Sequence, residues 1–333
     1  MEKFMVNRMG AVVIGRNEGE RLRVCLNAVA SEIKKIVYVD SGSTDQSVEL
    51  ARSLGAEVMS LAPSKPFTSP RARQEGLSFL LEKYPDLQYV QFVDGDSALQ
   101  PGWLENAKKT LDSEPKAAVV CGIQRERYPR ASLFHFIADI DWHISPGNIK
   151  FCTGNAMMRT KALQDAGGFD PELVGGGEVD LCARLRERGW KLLCLDVLMT
   201  LHDMGPLNFK KWLKRNVRTG HSYAEVSWLH RQGKEHFQRR ECLSLWFWGF
   251  LLPLSVCVFA FNTRGKSLLG LTAYLWLFFS IVRSLRKRRI SWEERCKYAG
   301  LCLIGKFPQA FGQIQFHMNR LIGRKRGLVE YKK

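Results

Sequence analysis

The chain has 333 residues and a formal net charge of +17, and 45% of its residues are hydrophobic. This length accommodates one large domain and an appendage. The charge is uneven, because residues 239–333 hold 18 Lys and Arg against 4 acidic residues, whereas residues 1–238 hold 32 against 29. Since the basic residues surround apolar runs and no nucleic-acid-binding motif is found, nucleic acid is not an expected partner. The nine cysteines have no paired ligand spacing, which argues against a structural zinc site.

The first half of the chain alternates short β-rich runs with helical patterns. Five strands are predicted, at residues 11–14, 36–40, 56–59, 89–94 and 117–121. Apolar residues recur at helical spacing between them. This alternation predicts an α/β fold with a mostly parallel, twisted sheet that is covered on both faces. Because ligands of such sheets collect at the carboxyl ends of the strands, the residues after each strand are candidate site residues.

An acidic turn, Asp94-Gly95-Asp96, follows the fourth predicted strand. Gly95 would let the chain turn sharply and direct both carboxylates toward one point. Mg²⁺ and Mn²⁺ bind through one or two carboxylates together with substrate phosphates. The turn therefore predicts a metal site that stabilises charge on a leaving phosphate. An ordinary surface turn has the same sequence, and this alternative stays open.

Asp40 follows the second predicted strand, at the same edge of the sheet. Its carboxylate is a candidate to accept hydrogen bonds from the base or the ribose of a nucleotide. The alternative is that residues 40–45 cap a turn, because Ser43, Thr44 and Asp45 are typical of a helix start.

Two runs without a charge, residues 243–261 and 267–282, lie in the C-terminal third. As helices they would extend roughly 28 and 24 Å, at or just below the ~30 Å hydrocarbon thickness of a bilayer. We predict an apolar hairpin at residues 243–282 that either spans the membrane or lies in its interface. A buried hairpin of a soluble protein is the alternative. The flanking arginines would place both ends of the hairpin in the cytosol.

These patterns predict a catalytic domain at residues 1–235 and a helical membrane-anchoring region at residues 236–333, which ends in a basic amphipathic tail. The expected location is the inner (cytoplasmic) membrane, with the catalytic domain facing the cytosol.

In their order and spacing, several segments of residues 10–205 together resemble the family 2 glycosyltransferases of the GT-A fold. The matching segments are Arg16-Asn17-Glu18, Val37 to Asp45, Ala72-Arg73-Gln74, Asp94-Gly95-Asp96, Gly154-Asn155-Ala156, Ala166 to Asp170 and Gly177 to Leu181. The resemblance implies inverting transfer of a hexosyl unit from a nucleotide-diphosphate sugar, with a UDP-sugar as the expected donor. It also implies that Mg²⁺ or Mn²⁺ binds at the Asp94-Gly95-Asp96 (DxD) motif.

The resemblance also implies roles for individual residues. His202 stands where family members often place a histidine near the diphosphate or the metal, which would make it a third metal ligand; a purely structural histidine is the alternative. Arg215 and Arg218 could bind the diphosphate, or they could form a membrane-facing basic stripe. The remaining implied donor-binding residues are Asn17, Glu18, Asp40, Ser41, Gly42, Arg73, Asp94 and Gly95.

The family usually supplies its catalytic base in a Glu-Asp-x-Asp segment, which here is Gly177-Glu178-Val179-Asp180. We expect Glu178 to remove the proton from the acceptor hydroxyl, with Asp180 as the second candidate. Both acidic residues would also suit the N-terminus of a helix, which is the structural alternative.

The acceptor is expected to contact Trp142, Gly154 and Asn155, since an aromatic ring can stack on a sugar. The predicted membrane link favours a lipid-linked or polysaccharide acceptor. Two alternative functions stay open. A non-catalytic scaffold that binds nucleotide sugar is compatible with the departure at Gly177-Glu178. A nucleotidyltransferase would use a similar sheet and metal, but the expected Gly-rich phosphate loop followed by lysine is missing from the sequence.

Overall fold

A computed structural model describes residues 8–233, 237–288 and 290–323. The chain forms two compact units that divide between Pro206 and Leu207. The sequence-based boundary at residue 235 lies further along the chain than this division. The helix between the two boundaries, at residues 209–229, packs within the second unit. That the catalytic domain ends at residue 235 stays a prediction.

The first unit alternates strands and helices along the chain. Its strands are β1 (Met9–Gly15), β2 (Lys35–Asp40), β3 (Glu57–Ser60), β4 (Tyr89–Asp94), β5 (Ser97–Leu99), β6 (Ala117–Glu126), β7 (Gly147–Asn148), β8 (Ala156–Arg159) and β9 (Lys191–His202). Its helices are α1 (Glu20–Ala30), α2 (Ser47–Ser53), α3 (Ser69–Lys83), α4 (Trp103–Ser113), α5 (Leu133–Asp141), α6 (Thr160–Ala166) and α7 (Gly177–Glu187).

Within the described part of the chain, nine strands form one sheet in the order β3-β2-β1-β4-β8-β6-β9-β5, and β7 pairs with β9. The pairs among β3, β2, β1 and β4 are parallel, as is the pair of β6 with β9. Strand β8 is antiparallel to both β4 and β6, and β5 is antiparallel to β9. The predicted α/β fold is therefore confirmed as a mixed sheet, whose parallel part contains the first four predicted strands.

The core forms on both faces of the sheet. Six consecutive residues of β1, Met9 to Ile14, are buried, which requires cover on both faces of that strand. Helix α3 packs on β1 and β2, and α4 packs on β6 and β8. Because the strands are buried in this way, the positions of their ends are fixed. The side chains at and directly after the strand ends are therefore fixed as well.

The second unit is helical. Its elements are α8 (Phe209–Leu229), α9 (Arg239–Trp246), a π-helical turn (Phe247–Leu251), α10 (Leu252–Ala260), a 3₁₀ segment (Lys266–Thr272), α11 (Ala273–Ser284), a short 3₁₀ turn (Leu285–Lys287) and α12 (Trp292–Leu321). Helices α8 and α12 pack closely, because glycines at Gly220 and Gly312 let each backbone approach the other helix.

Two helical stretches of the described residues are long and apolar enough to cross a membrane. They are Arg239–Ala260 and Lys266–Lys287, which contain 18-residue segments with mean hydropathies of 2.0 and 1.6. Only 11% of each 18-residue segment is buried within the protein. The predicted apolar hairpin therefore forms two helices that present most of their apolar surface outward.

Helix α12 presents a further apolar surface. Ile304, Phe307, Phe311 and Met318 are exposed, and their spacing places them on one helix face. The predicted basic tail thus includes a long helix with an apolar face, whereas residues 324–333 lie outside the described residues.

Candidate active site

The sheet brings the predicted acidic residues to one edge. In the parallel ladder, Gly15 of β1 pairs with Asp40 of β2, and Ile14 pairs with Asp94 of β4. The antiparallel pair of β5 and β9 sets His202 opposite Ser97, directly after Asp96. The backbone N–H of Asp203 also donates to the carbonyl of Asp96 (2.8 Å).

Asp94, Asp96 and His202 form a group that could hold a metal ion. One potential ligand atom from each residue lies within 4.8 Å of the others. The Nε2 atom of His202 is 3.1 Å from Oδ1 of Asp96. Two carboxylate oxygens and one imidazole nitrogen suit a divalent cation, so the residues present fit the predicted metal.

The charges of this group depend on one another. Burial lowers the pKa of His202, but Asp96, Glu126 and Asp94 outweigh that effect and raise it to about 9. Burial raises the pKa of Asp94, and Asp96 adds to the increase, while Arg73 opposes it. The carboxylates of Asp94, Asp96 and Glu126 thus lie close together in a partly buried part of the protein, and their negative charges favour the binding of a cation.

Arg73 joins the metal-binding group to Glu178. Its Nη2 atom donates to Oδ1 of Asp94 at 2.6 Å, and its Nη1 atom forms an ion pair with Glu178. The guanidinium is buried, which lowers its pKa, but the Glu178 and Asp94 carboxylates outweigh this and raise the pKa. Arg73 therefore binds carboxylates in this structure, and its predicted contact with the donor stays a prediction.

The start of α7 explains how Glu178 reaches this position. A Cβ atom at Gly177 would lie 2.6 Å from Pro70 at the start of α3. A glycine therefore allows α7 to approach α3, the helix that carries Arg73. Close packing against Pro70 therefore explains why glycine stands at position 177, where the family's Glu-Asp-x-Asp segment has its first glutamate.

Asp180 has different partners. Its Oδ2 atom accepts hydrogen bonds from Nε and Nη2 of Arg184 at 3.1 and 2.6 Å. Arg184 also donates to the carbonyl oxygens of Ala166 and Gly168. Asp180 therefore holds Arg184, which links α7 to the end of α6 and the loop after it, while Glu178 contacts Arg73.

Gly154 and Asn155, predicted to contact the acceptor, lie behind Asp94. The Asn155 side chain is fully buried, and its Oδ1 atom accepts a hydrogen bond from the backbone N–H of Asp94 (2.8 Å). A Cβ atom at Gly154 would lie 2.7 Å from Asp94 and would also collide with Arg73. Both residues thus pack against Asp94 and help to fix its position. A direct contact between either residue and the acceptor stays a prediction.

The loop after β2 is held by its own side chains. The carboxylate of Asp40 accepts hydrogen bonds from the backbone N–H groups of Gly42 and Ser43, both at 3.0 Å. Asn17 has a φ of 54°, and its Oδ1 atom accepts from the backbone N–H of Thr44 (2.7 Å). The turn-capping role of Asp40 is therefore present, and its nucleotide contact stays a prediction.

The other predicted donor-binding residues also have structural partners. Glu18 forms a 2.8 Å ion pair with Arg21, and the N–H of Ser41 donates to the carbonyl of Gly15 (3.0 Å). Gly42 has a φ of 81° and lies against Phe67. Gly95 does not have a positive φ; a side chain there would meet the carbonyl of Ile14 at 3.1 Å, so close packing explains this glycine.

Trp142 lies beside the metal-binding group. Its ring centroid is 4.2 Å from that of His202, with an interplanar angle of 59°. Arg215 and Arg218 lie on α8 in the second unit, and their predicted role in donor binding stays a prediction. Sequence reasoning missed Glu126, whose position next to His202 comes from the pairing of β6 with β9.

The geometry agrees with comparisons to known proteins. Residues 11–167 match the model of glycosyl transferase family 2. Glycosyltransferase AglE of Haloferax volcanii is 27% identical over 251 residues, which cover 71% of this chain and 79% of that protein. Pre-mycofactocin glycosyltransferase of Mycobacterium tuberculosis is 27% identical over 234 residues, covering 66% of this chain and 47% of that protein.

Solved structures show the same fold. The mannosyltransferase PcManGT of Pyrobaculum calidifontis, solved with GDP-Man and Mn²⁺, superposes with a TM-score of 0.62 at 16% identity, covering 92% of this chain and 87% of that chain. S. aureus TarS gives a TM-score of 0.52 at 16% identity, covering 95% and 92%.

The fold and the site therefore define a glycosyltransferase domain of the GT-A type. Residues 11–167 form a domain of glycosyl transferase family 2, and the protein is an enzyme of the transferase class.

Proposed function

We propose that this enzyme transfers a sugar, with inversion, from a nucleotide-diphosphate donor to a hydroxyl group of a lipid-linked or polysaccharide acceptor. One observation carries the proposal: Arg73 binds both Asp94 of the metal-binding group and Glu178. A cation-binding group and a candidate base are thereby held by the two terminal nitrogens of one guanidinium.

Asp94, Asp96 and His202 would hold Mg²⁺ or Mn²⁺. When bound, the cation would stabilise the negative charge that develops on the leaving diphosphate. The neighbour from Pyrobaculum calidifontis binds GDP-Man and Mn²⁺, which supports a nucleotide sugar and a divalent cation as ligands of this chain.

Glu178 would act on the acceptor. Its carboxylate takes the hydroxyl proton while the acceptor oxygen bonds to the anomeric carbon and the bond from that carbon to the diphosphate breaks. Glu178 is suited to this role because its side chain is partly exposed, whereas Asp180 is buried against Arg184. Because Glu178 is paired with Arg73, which also binds Asp94, its carboxylate would lie near the reacting atoms.

The base is tested with Glu178→Gln, which keeps the shape of the side chain and removes its ability to take a proton. We expect transfer to fall about 10³-fold, because general base catalysis typically contributes about 10²–10⁴-fold. Donor binding, measured by calorimetry, should stay within about threefold of wild type. Glu187→Gln, at the other end of α7, is the matched control and should keep full activity.

Activity of Glu178→Gln within tenfold of wild type would reject Glu178 as the base. Donor binding by a wild-type protein that transfers no sugar to any acceptor would favour the scaffold alternative.

The donor is tested with a thermal-shift panel of UDP-, GDP-, dTDP- and CMP-sugars in the presence of Mn²⁺ or Mg²⁺. A ligand that binds only the folded state stabilises it by about 2.7 kcal/mol at 100 times its Kd. The true donor should raise the melting temperature only together with the cation. We expect a UDP-sugar to give the largest shift, and a larger shift with another nucleotide would contradict that expectation.

We propose that the second unit anchors the enzyme in the cytoplasmic membrane, with the first unit in the cytosol. The support is the outward apolar surface of Arg239–Ala260 and Lys266–Lys287, together with the exposed apolar face of α12. An anchored enzyme meets acceptors at the membrane, which favours a lipid-linked or polysaccharide acceptor. If the enzyme glycosylated a soluble protein at the same rate as it glycosylates any lipid-linked acceptor, the proposed acceptor class would be wrong.

A further inference from the structure

Glu126 is a buried carboxylate that the proposed reaction does not use. It is the last residue of β6, and the parallel ladder pairs it with His202 at the end of β9. Its Oε1 atom accepts a hydrogen bond from the backbone N–H of Tyr128 (3.1 Å). Its Oε2 atom lies 3.9 Å from Nδ1 of His202.

These two facing atoms have no hydrogen-bond partner among the described residues, although both are buried. An unpaired buried polar atom of this kind destabilises the folded state, and more strongly when the group is charged. A hydrogen bond between nitrogen and oxygen is about 2.9 Å long, so a shift of about 1 Å would join the two atoms. Oε2 of Glu126 and Nδ1 of His202 thus face each other and need only a small shift to form a hydrogen bond.

The backbone fixes Glu126 in this place. The N–H of Glu126 donates to Oδ1 of Asp139 (2.9 Å), and the N–H of Arg127 donates to the carbonyl of His202 (2.8 Å). On the imidazole, Trp142 lies against the ring. The backbones of both strand ends are thus held in place, so the Glu126 and His202 side chains would make the remaining adjustment.

The other nitrogen of the ring, Nε2, faces Asp96 in the metal-binding group. A histidine that ligates a metal almost always donates its second ring N–H to a carboxylate, a carbonyl or water, which fixes the tautomer and orients the ring. We propose that Glu126 is a positioning residue that accepts the Nδ1–H of His202 and so directs Nε2 at the divalent cation. This inference rests on the proposed metal site.

The test measures Mn²⁺ binding by the full-length protein in detergent, without donor or acceptor. Free Mn²⁺ is followed by its EPR signal in the wild type, Glu126→Gln and Glu126→Ala. Loss of such a partner typically weakens metal binding about 10–100-fold, and we expect that loss in Glu126→Ala. Glu126→Gln should lie between, because its amide oxygen can accept the hydrogen bond but carries no charge.

The control is Glu114→Gln, which changes an exposed carboxylate just before β6, at the opposite end of the same strand pair. Its Mn²⁺ affinity should equal that of the wild type. A second readout is the ¹⁴N modulation that a ligating imidazole adds to the pulsed EPR signal of bound Mn²⁺. It should weaken in Glu126→Ala, whereas a merely structural defect would lower the melting temperature and leave the modulation intact.

Wild-type affinity and full modulation in both Glu126 variants would overturn the role of Glu126 and leave the metal site standing. If Glu126→Ala does not fold, an unchanged Kd and modulation in Glu126→Gln would overturn it. Failure of the wild type to bind Mn²⁺ would overturn the proposed metal site and this inference with it.

Discussion

The Arg73 side chain joins two parts of the site. It is only 3% exposed, and it binds carboxylates from β4 and α7, two elements that are far apart in sequence. The buried positive charge depends on both carboxylates, because without them the guanidinium would be buried without a partner, and without Arg73 the two partly buried carboxylates would lose their shared cation.

We expect Arg73→Gln to destabilise the protein by about 3–5 kcal/mol, since removing one partner of a buried ion pair leaves the other uncompensated. Mn²⁺ should restore part of this loss, because a cation would again neutralise Asp94. Unfolding in denaturant, with and without Mn²⁺, measures both effects. The control is Arg23→Gln, whose ion pair with Glu20 is exposed. A loss no larger for Arg73→Gln than for Arg23→Gln would contradict the account.

At the scale of elements, glycines decide how closely the helices pack. Gly177 lets α7 approach Pro70, and Gly220 and Gly312 let α8 and α12 approach each other until a Cβ atom at either position would collide with backbone. Gly300, also on α12, has no atom within 4 Å of the place where its Cβ would be. One helix thus contains a glycine that packing requires and a glycine that it does not.

This contrast predicts opposite effects of the same substitution. Gly312→Ala should destabilise the second unit by about 1–3 kcal/mol, because the added methyl group overpacks the contact between α8 and α12. Gly300→Ala should be neutral or stabilise by about 0.5–1 kcal/mol, since alanine is the better helix former. Thermal unfolding of the full-length protein in detergent measures both changes. Equal melting temperatures for the two variants would show that the helices are not in close contact there.

At the scale of the whole molecule, charge and apolar surface coincide in the second unit. The stretches Arg239–Ala260 and Lys266–Lys287 are bordered by basic residues, and most of their apolar side chains are at least partly exposed. Basic residues alone would bind an anionic surface reversibly, whereas apolar helices would insert.

We therefore expect the full-length protein to float with vesicles of anionic lipid and to remain bound in about 1 M salt. At this ionic strength the Debye length is about 3 Å, so attachment by charge alone would be lost. Flotation in a density gradient at low and high salt measures the distinction. Release at high salt would show that the protein binds the surface by charge and does not insert.

The sequence predicted the first four core strands well, and β4 has the predicted bounds, Tyr89–Asp94. Strand β8 was missed, because its four residues, Ala156–Arg159, lack the β-branched residues that every predicted strand contains. Strand β9 is continuous over Lys191–His202, although the charged residue Asp196 interrupts its apolar pattern. Short antiparallel strands gain their stability from neighbours across the sheet, which a local pattern does not contain.

The sequence by itself determined the family, the α/β alternation and the residue types of the site, because periodicity and short motifs are local properties of the chain. It also indicated the apolar helices, since their length and composition are local as well. Only the tertiary structure decided that Arg73 binds Asp94 and Glu178, that Asp180 binds Arg184, and that Glu126 faces His202. These partners are set by strand register and by close helix packing, which join residues that are distant along the chain.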